Sequence, residues 1–428
     1  MEILKVADGI RLTFAQTNQF KTAVMSLSVS VPLSGNAAAN ALLIRLLART
    51  TKKYPSTLQM NRALASLYGA TITPIVEKQG ESQVLRLLLS ALDDRFTLNG
   101  ESVCKECIRL LCDCFFSPDV TPEGFKEENI ALEKRLLIER IDAERDEKRI
   151  YARERLIEEM CKDEVYGKSK YGTKEEIEAL DGKTLLAQWK DLLLHAPMEF
   201  GFVGSTAKDE LLSLLKERCA PYPKEKITEL HTEFQTESYG SRTVTEAQPV
   251  NQGKLVIGFR AGMTFDMDNY AAIRLMTAIF GGGTFSKLFM NVREKMSLCY
   301  YCAARLISAK GLILVESGVE TENAEKALAA IRAELDAVRR GDFTDEVIEQ
   351  AKLSICDALR GVSDSNSGIL GWFGSFTTAS RFYTPQEIAE MIRNVSREEI
   401  VLAANLISED TVYILQSENK EEQADEEN

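Results

Sequence analysis

Apolar and polar residues alternate along several short segments of the chain, which is the pattern of a β-strand with one buried face. Residues 21–31 show it clearly, because single serines separate Met25, Leu27 and Val29. The predicted strands cover residues 9–14, 21–31, 70–77, 81–89, 200–204, 254–259, 301–308 and 312–319. Short turns at Gln79-Gly80 and Lys310-Gly311 join two pairs of these strands, so we expect largely antiparallel sheets.

Segments of helical composition lie between the strands. Ser56 is placed to cap one of them and Gly69 to end it. The stretch 121–162 is rich in Glu, Lys and Arg, which is typical of a solvated helix with ion pairs four residues apart. The predicted helices cover residues 37–51, 56–68, 99–116, 121–162, 209–219, 270–280, 286–295 and 322–340.

The order of elements repeats at a shift of about 231 residues, which indicates an internal duplication. At this shift the helix around Leu42 falls on the helix around Ile273, and the Gln79-Gly80 turn falls on Lys310-Gly311. The sequence therefore predicts an α+β fold of two homologous units, each an antiparallel sheet with helices on one face. The predicted boundaries are a first domain at 1–220, a linker at 221–245, a second domain at 246–416 and a disordered acidic tail at 417–428.

Composition excludes several classes of protein. A formal net charge of −13 argues against a nucleic-acid partner, which needs clustered Lys and Arg. The chain has two histidines, His195 and His231, and they cannot form a His-pair zinc motif. We expect a structural role for each. Nine cysteines, a start that lacks signal-peptide features and the lack of an apolar run of about 18 residues predict a cytoplasmic protein with free thiols and no membrane partner.

Three other stretches have the composition of ligand sites. The glycines of Gly281-Gly282-Gly283-Thr284 lack the Lys-Ser/Thr of a P-loop, so we interpret them as a tight turn that lets the two halves approach. Cys299 and Cys302 lie in a predicted strand, where their spacing would point them to opposite faces. One predicted helix carries a further group of four, for which buried thiols are expected because ligands on one helix cannot surround a metal: Cys104, Cys107, Cys112 and Cys114. The sequence thus predicts no cofactor.

Three motifs carry a resemblance to a known family. Residues 285–300 read FSKLFMNVREKMSLCY, with a tyrosine seven residues after the arginine of Arg-Glu-Lys. Residues 164–173 read EVYGKSKYGT, and residues 49–55 read RTTKKYP. In these stretches, and over nearly its whole length, the chain resembles the M16 (pitrilysin/insulinase-like) metallopeptidases. The resemblance implies two LuxS/MPP-like α/β domains that face each other across a cleft.

The stretch at 49–55 sets an alignment with the family's zinc helix, which carries His-x-x-Glu-His. Those three positions fall on Asn40, Leu43 and Ile44. The family's downstream Glu ligand falls within 133–141, and Arg140 is the best match. Zinc needs three protein ligands to activate water, and these side chains do not supply them. The resemblance therefore implies a degenerate metal site and no catalysis by the chain alone.

The C-terminal signature, in contrast, matches the family at Arg293 and Tyr300. The resemblance implies that these side chains contact the substrate backbone and the developing oxyanion. The chain is similar to the zinc-less subunit of two-chain M16 members that are found in Gram-positive bacteria. We expect a zinc-bearing M16 homologue as a heterodimer partner, or a homodimer, with extended peptides as the substrate class. Two alternatives stay open: a peptide-binding or assembly scaffold without a role in hydrolysis, and a metallopeptidase with Cys or carboxylate ligands.

Overall fold

The computed structural model describes residues 2–262, 268–379 and 381–418. The chain divides into two compact units, and each is built from separate segments. Unit 1 comprises Met1–Asp142, Lys168–Thr232 and Gly361–Thr378. Unit 2 comprises Ala143–Gly167, Glu233–Arg360 and Ala379–Asn428. Most of the predicted acidic tail, residues 419–428, lies outside the described residues, and Ser417 is the last residue of a strand.

The strands are β1 (Glu2–Ala7), β2 (Ile10–Gln16), β3 (Thr22–Pro32), β4 (Thr71–Gln79), β5 (Ser82–Leu92), β6 (Val120–Thr121), β7 (Gly124–Phe125), β8 (Met198–Gly204), β9 (Arg242–Gln248), β10 (Gly253–Arg260), β11 (Cys299–Ile307), β12 (Leu312–Val319) and β13 (Ser408–Ser417). The helices are α1 (Ala37–Arg49), α2 (Thr57–Ser66), α3 (Val103–Phe116), α4 (Glu127–Asp146), α5 (Lys148–Met160), α6 (Lys174–Ala179), α7 (Gly182–His195), α8 (Lys208–Cys219), α9 (Tyr270–Gly281), α10 (Ala324–Arg339), α11 (Asp345–Gly361), α12 (Asn366–Gly374), α13 (Pro385–Asn394) and α14 (Arg397–Leu406). A π-helix spans Leu288–Lys295.

The sheets of the two units share one topology. Unit 1 has the order β1-β2-β8-β3-β5-β4, and unit 2 has the order β11-β12-β10-β13-β9. Read from the opposite end, the second order matches the first once β1 is set aside. Each sheet has one parallel pair among its described strands, β2 with β8 in unit 1 and β9 with β13 in unit 2, and the two pairs occupy the same place in the order. The predicted α+β fold of two homologous units is confirmed.

One face of the unit 1 sheet carries the main hydrophobic core. Met25, Leu27 and Val29 of β3 point to this face and are buried with residues of α1 and α3. The intervening serines lie on the other face, where α12 packs on β3 and β8. Gly201 permits this contact, because a Cβ there would lie 2.4 Å from Leu370 Cδ1.

Unit 2 has the same second layer on its sheet. Helix α5 packs on β10 and β13, and Gly258 lies so close that a Cβ would meet Met160 Sδ at 2.5 Å. Residues 143–167 precede the predicted boundary at 220 and residues 361–378 follow it, yet each segment belongs to the unit formed mainly by the other half of the chain. Amphipathic patterns reveal which helices pack on a sheet but do not reveal which sheet.

Several predicted elements have shifted limits. In place of the predicted single helix at 121–162, the structure has a short β6–β7 ribbon followed by two helices, α4 and α5. The two helices are separate because α4 ends at Asp146 and the Glu147 side chain caps α5 by accepting a bond from Arg149 N. Ser56 caps α2 as expected. The predicted linker runs without regular structure to residue 241, after which β9 begins. Among the described residues no helix is long and apolar enough to cross a membrane.

Candidate functional site

Helix α1 places the degenerate zinc positions in the core of unit 1. Asn40, Leu43 and Ile44 lie on successive turns, and all three are buried. Leu43 and Ile44 pack with the apolar residues of the main core, because helical spacing of three and four residues puts them on one face with Asn40. The helix that carries the three aligned positions therefore packs as a core helix.

Asn40 is held by a network of neutral amides. Its Nδ2 donates to Gln83 Oε1 at 2.9 Å, and its Oδ1 accepts from Gln188 Nε2 at 2.9 Å. Gln83 in turn donates to the carbonyls of Ala37 and Lys170 at 3.0 and 2.6 Å. Buried amides are stable only when they are paired in this way. Both the donor and the acceptor end of the Asn40 amide are therefore used in bonds to other side chains.

Arg140, the position aligned with the third zinc ligand, lies on α4. Its Nε donates to the Tyr171 hydroxyl at 3.2 Å. A guanidinium is permanently protonated and cannot ligate a metal. The structure therefore joins Arg140 to the loop that carries the second sequence motif, and this bond does not involve Asn40.

Sequence reasoning missed a buried carboxylate in the same alignment window. Glu133 is 5% exposed and accepts from Arg45 Nε at 2.8 Å and from Arg49 Nη1 at 2.9 Å. Two guanidinium partners neutralise this carboxylate and occupy both of its oxygens. The signal in the sequence was the spacing of Arg45 and Arg49, four residues apart on the mostly apolar α1, which called for a buried carboxylate partner. Among the described residues, no cluster of three or more His, Cys, Asp or Glu side chains could hold a metal ion.

In unit 2, Arg293 lies on the π-helix. Single π-helical turns are rare and occur frequently at functional sites. The guanidinium lies over the Phe289 ring, 4.6 Å from its centroid, and its Nε is 3.6 Å from Glu294 Oε1, which is longer than a hydrogen bond. The side chain is 40% exposed, so its fork of donors can reach a ligand.

Tyr300 stands at the start of β11, and the π-helix packs on this strand. The pairing with β12 shifts between Cys299 and Tyr301, which leaves Tyr300 in a β-bulge. Bulges re-aim side chains and are frequent near active sites. The Tyr300 ring is 61% exposed, and its hydroxyl donates to Glu320 Oε1 at 2.6 Å. The hydrogen bond to this carboxylate raises the pKa of Tyr300, so the hydroxyl keeps its proton.

The bulge also overturns one expectation. Cys299 and Cys302 were predicted to point to opposite faces, and this prediction is wrong. Cys299 pairs with Val319 and Cys302 with Ser317, so the extra residue brings both thiols to the same face. Alternation holds only in a regular strand, and the sequence carries no glycine or proline that would have signalled the bulge.

The glycine turn, the cysteines of α3 and His195 have contacts that fit a structural role. Gly281 ends α9 where a Cβ would lie 2.5 Å from the backbone nitrogen of Ala304, so the close approach is between a helix and β11 of the same unit. The four cysteines of α3 are buried, and burial raises the pKa of Cys104 to about 12. His195 ends α7, with its Nδ1 3.1 Å from the Lys226 carbonyl.

This chain is similar to known proteins in sequence and in fold. Residues 180–355 match the family described as Peptidase M16 inactive domain. The chain is 29% identical over 408 residues to the "probable inactive metalloprotease YmfF" of Bacillus subtilis, with 95% of this chain and 96% of that protein covered. Its fold is similar to that of a conserved protein from Enterococcus faecalis, with a TM-score of 0.89, 24% identity and coverage of 97% and 98%.

A second solved structure has the same fold. It is a peptidase M16 inactive domain from Pseudomonas fluorescens, with a TM-score of 0.79, 17% identity and 98% of each chain covered. The matched domain contains Arg293 and Tyr300, and α1 lies outside it. The resemblance predicted from the sequence is confirmed: residues 180–355 are similar to the inactive domain of the M16 peptidases, and nearly the whole chain is similar to a probable inactive metalloprotease.

Proposed function

We propose that the chain is the non-catalytic subunit of a two-chain M16-type metallopeptidase. In this proposal a homologous partner binds zinc, and the present chain supplies Arg293 and Tyr300 to the shared peptide site. The location is cytoplasmic, in keeping with nine free cysteines. The observation that carries the proposal is a contrast between two sets of residues. Asn40, Leu43 and Ile44 stand at the aligned metal positions and cannot bind zinc, whereas Arg293 and Tyr300 match the family's Arg/Tyr signature.

The first half of this contrast concerns what α1 can no longer do. Asn40 is committed to Gln83 and Gln188, and Leu43 and Ile44 are apolar core residues. Zn²⁺ requires deprotonated N, O or S ligands with a fixed geometry. A metal-activated water must therefore come from another chain.

The second half concerns two exposed side chains. Arg293 contacts Phe289 and Glu294 of its own helix, and Tyr300 is largely exposed, with its hydroxyl bonded to Glu320. Arginine offers a rigid set of donors to carbonyl oxygens, and a protonated tyrosine hydroxyl that turns from Glu320 to the substrate can donate to a tetrahedral oxyanion. These are the groups that a zinc-bearing partner would need for transition-state stabilisation.

Extended peptides are the proposed ligands because both sheets end in edge strands. β4 pairs with β5 and lies at one end of its sheet, and β11 pairs with β12 and lies at one end of the other. An unpaired strand edge can accept a peptide as an added strand through main-chain hydrogen bonds. This mode reads the peptide backbone more than its side chains.

The test is reconstitution with a purified zinc-bearing homologue and a fluorogenic peptide. Arg293→Ala and Tyr300→Phe should each lower kcat/KM of the mixture, by on the order of 10²-fold or more for the loss of an oxyanion donor. Arg340→Ala and Tyr239→Phe are matched controls, because both side chains are exposed and lie outside the signature. Gel filtration of each mixture shows whether the two chains still associate.

Turnover equal to wild type with both signature variants would refute the role in trans. If those variants still bind the partner and the peptide, the chain is instead an assembly or peptide-binding scaffold. A homodimer that does not associate with any zinc-bearing homologue would also contradict the proposal.

A further inference from the structure

The bulge at the start of β11 creates a pair of neighbouring thiols. In a regular strand, three residues span about 10 Å, but the bulge makes Cys299–Cys302 cover two positions of β12, or about 6.6 Å. Disulfides usually join Cα atoms about 4.4–6.8 Å apart. A spacing of about 6.6 Å is at the upper end of this range. The pair lies at the beginning of an edge strand, where the backbone is constrained on one side only.

The strand register places the two thiols as neighbours on one face, and each perturbs the pKa of the other. Ser317, the cross-strand neighbour of Cys302, donates its hydroxyl to the Tyr301 carbonyl between them at 2.9 Å. Cys299 is partly exposed, whereas Cys302 is 4% exposed. One thiol is thus open to a small reagent from solvent, and the second lies behind it within reach.

The surroundings make the outer thiol the nucleophile. Interaction with the Cys302 thiol lowers the pKa of Cys299 to about 7, with Ser317 and the Arg293 charge acting in the same direction against burial. Interaction with Cys299, together with burial, raises the pKa of Cys302. The buried thiols elsewhere differ, since burial raises the pKa of Cys219 to about 12.

We infer that Cys299 and Cys302 form a reversible thiol–disulfide site that a hydroperoxide oxidises. The Cys299 thiolate attacks one peroxide oxygen, the O–O bond breaks, and the leaving hydroxide or alkoxide takes up a proton. The sulfenic acid that results is attacked by the Cys302 sulfur, which forms the S–S bond and releases water. Two thiols lose two electrons and two protons, and the peroxide is reduced. A small thiol such as dithiothreitol reverses the step. Tyr300 lies inside the closed loop.

The chain is well suited to a direct test. Trypsin cleavage after Lys295 and Arg305 releases residues 296–305, which contain both cysteines and no other. The full chain is treated with a small excess of hydrogen peroxide, its remaining thiols are alkylated, and the digest is analysed by mass spectrometry. We expect the peptide to lose two hydrogens and to escape alkylation, and dithiothreitol should restore two alkylated thiols.

Cys302→Ala removes the second thiol, so Cys299 should accumulate as a sulfenic acid that dimedone traps. Cys356→Ser is the matched control, because Cys356 is buried in α11, and it should behave as wild type. The inference is overturned if peroxide leaves both thiols of 296–305 alkylatable in the wild type, or oxidises Cys299 beyond the sulfenic acid with Cys302 present. The wild-type digest decides the matter even if Cys302→Ala does not fold. None of these outcomes depends on the proposed peptidase role.

Discussion

At the scale of single residues, the position aligned with the first zinc ligand is tied to other side chains. The amide of Asn40 joins the buried Gln83 and the partly buried Gln188. Both ends of the Asn40 amide therefore have a partner within the protein. In the proposed alignment, this packing of unit 1 takes the place of a metal site.

This network gives a stability prediction. Asn40→Ala leaves the buried Gln83 Oε1 without its bond from Asn40, and it should lower the free energy of unfolding by about 1–3 kcal/mol. Urea denaturation followed by circular dichroism measures the change. Asn18→Ala, at an exposed position, is the control and should alter stability by less than about 0.5 kcal/mol. Equal effects of the two changes would show that the network is not stabilising.

At the scale of elements, a buried ion cluster fixes the segment that contains α5 to unit 2. Glu164 Oε1 lies 2.7 Å from Arg260 Nη2, and its Oε2 lies 2.8 Å from Lys310 Nζ. Arg260 and Lys310 are almost completely buried, and Arg260 also contacts Asp410 at 2.8 Å. Buried charges require such pairing, because an unpaired one costs several kcal/mol.

Glu164→Gln should destabilise the protein by about 3–5 kcal/mol at neutral pH, because it leaves two buried cations with less negative charge. Burial opposes ionisation, but the bonds from Arg260 and Lys310 prevail and lower the pKa of Glu164 below 4.5. A carboxylate whose pKa is lower in the folded state stabilises the protein at pH values above its unfolded-state pKa. This stabilisation is lost as the pH falls through the folded-state pKa. The difference between variant and wild type should therefore shrink below pH 4.5.

Unfolding midpoints in urea at several pH values test this, with Glu139→Gln, at an exposed carboxylate, as the control. A difference that is small at neutral pH, or that grows on acidification, would contradict the assigned role of the cluster.

Local sequence signals predicted the elements well and their partners less well. Ser56 capped its helix as expected, and the serine alternation in β3 identified a buried strand. The placement of α5 on β10 could not be derived, because an amphipathic helix is compatible with any apolar sheet face. The bulge at Tyr300 depends on pairing with β12, so the neighbourhood of Cys299 and Cys302 emerged only from tertiary structure.

At the scale of the whole molecule, the chain consists of two units of shared topology. The two sheets share an order and a parallel pair, so each unit folds around its own core. The proposed metal positions on α1 and the proposed Arg/Tyr contacts therefore lie in different units. The family resemblance suggested both sets of residues, whereas the amide network and the Glu133 ion pairs needed coordinates.

The most direct test of the central claim is the zinc content of the purified full-length chain. The chain is equilibrated with equimolar zinc, desalted and analysed by plasma mass spectrometry, with an M16 peptidase that retains His-x-x-Glu-His as the positive control. The account predicts far less than one zinc per chain and no peptide cleavage until a zinc-bearing homologue is added. One tightly bound zinc per chain, together with cleavage by the chain alone, would contradict it.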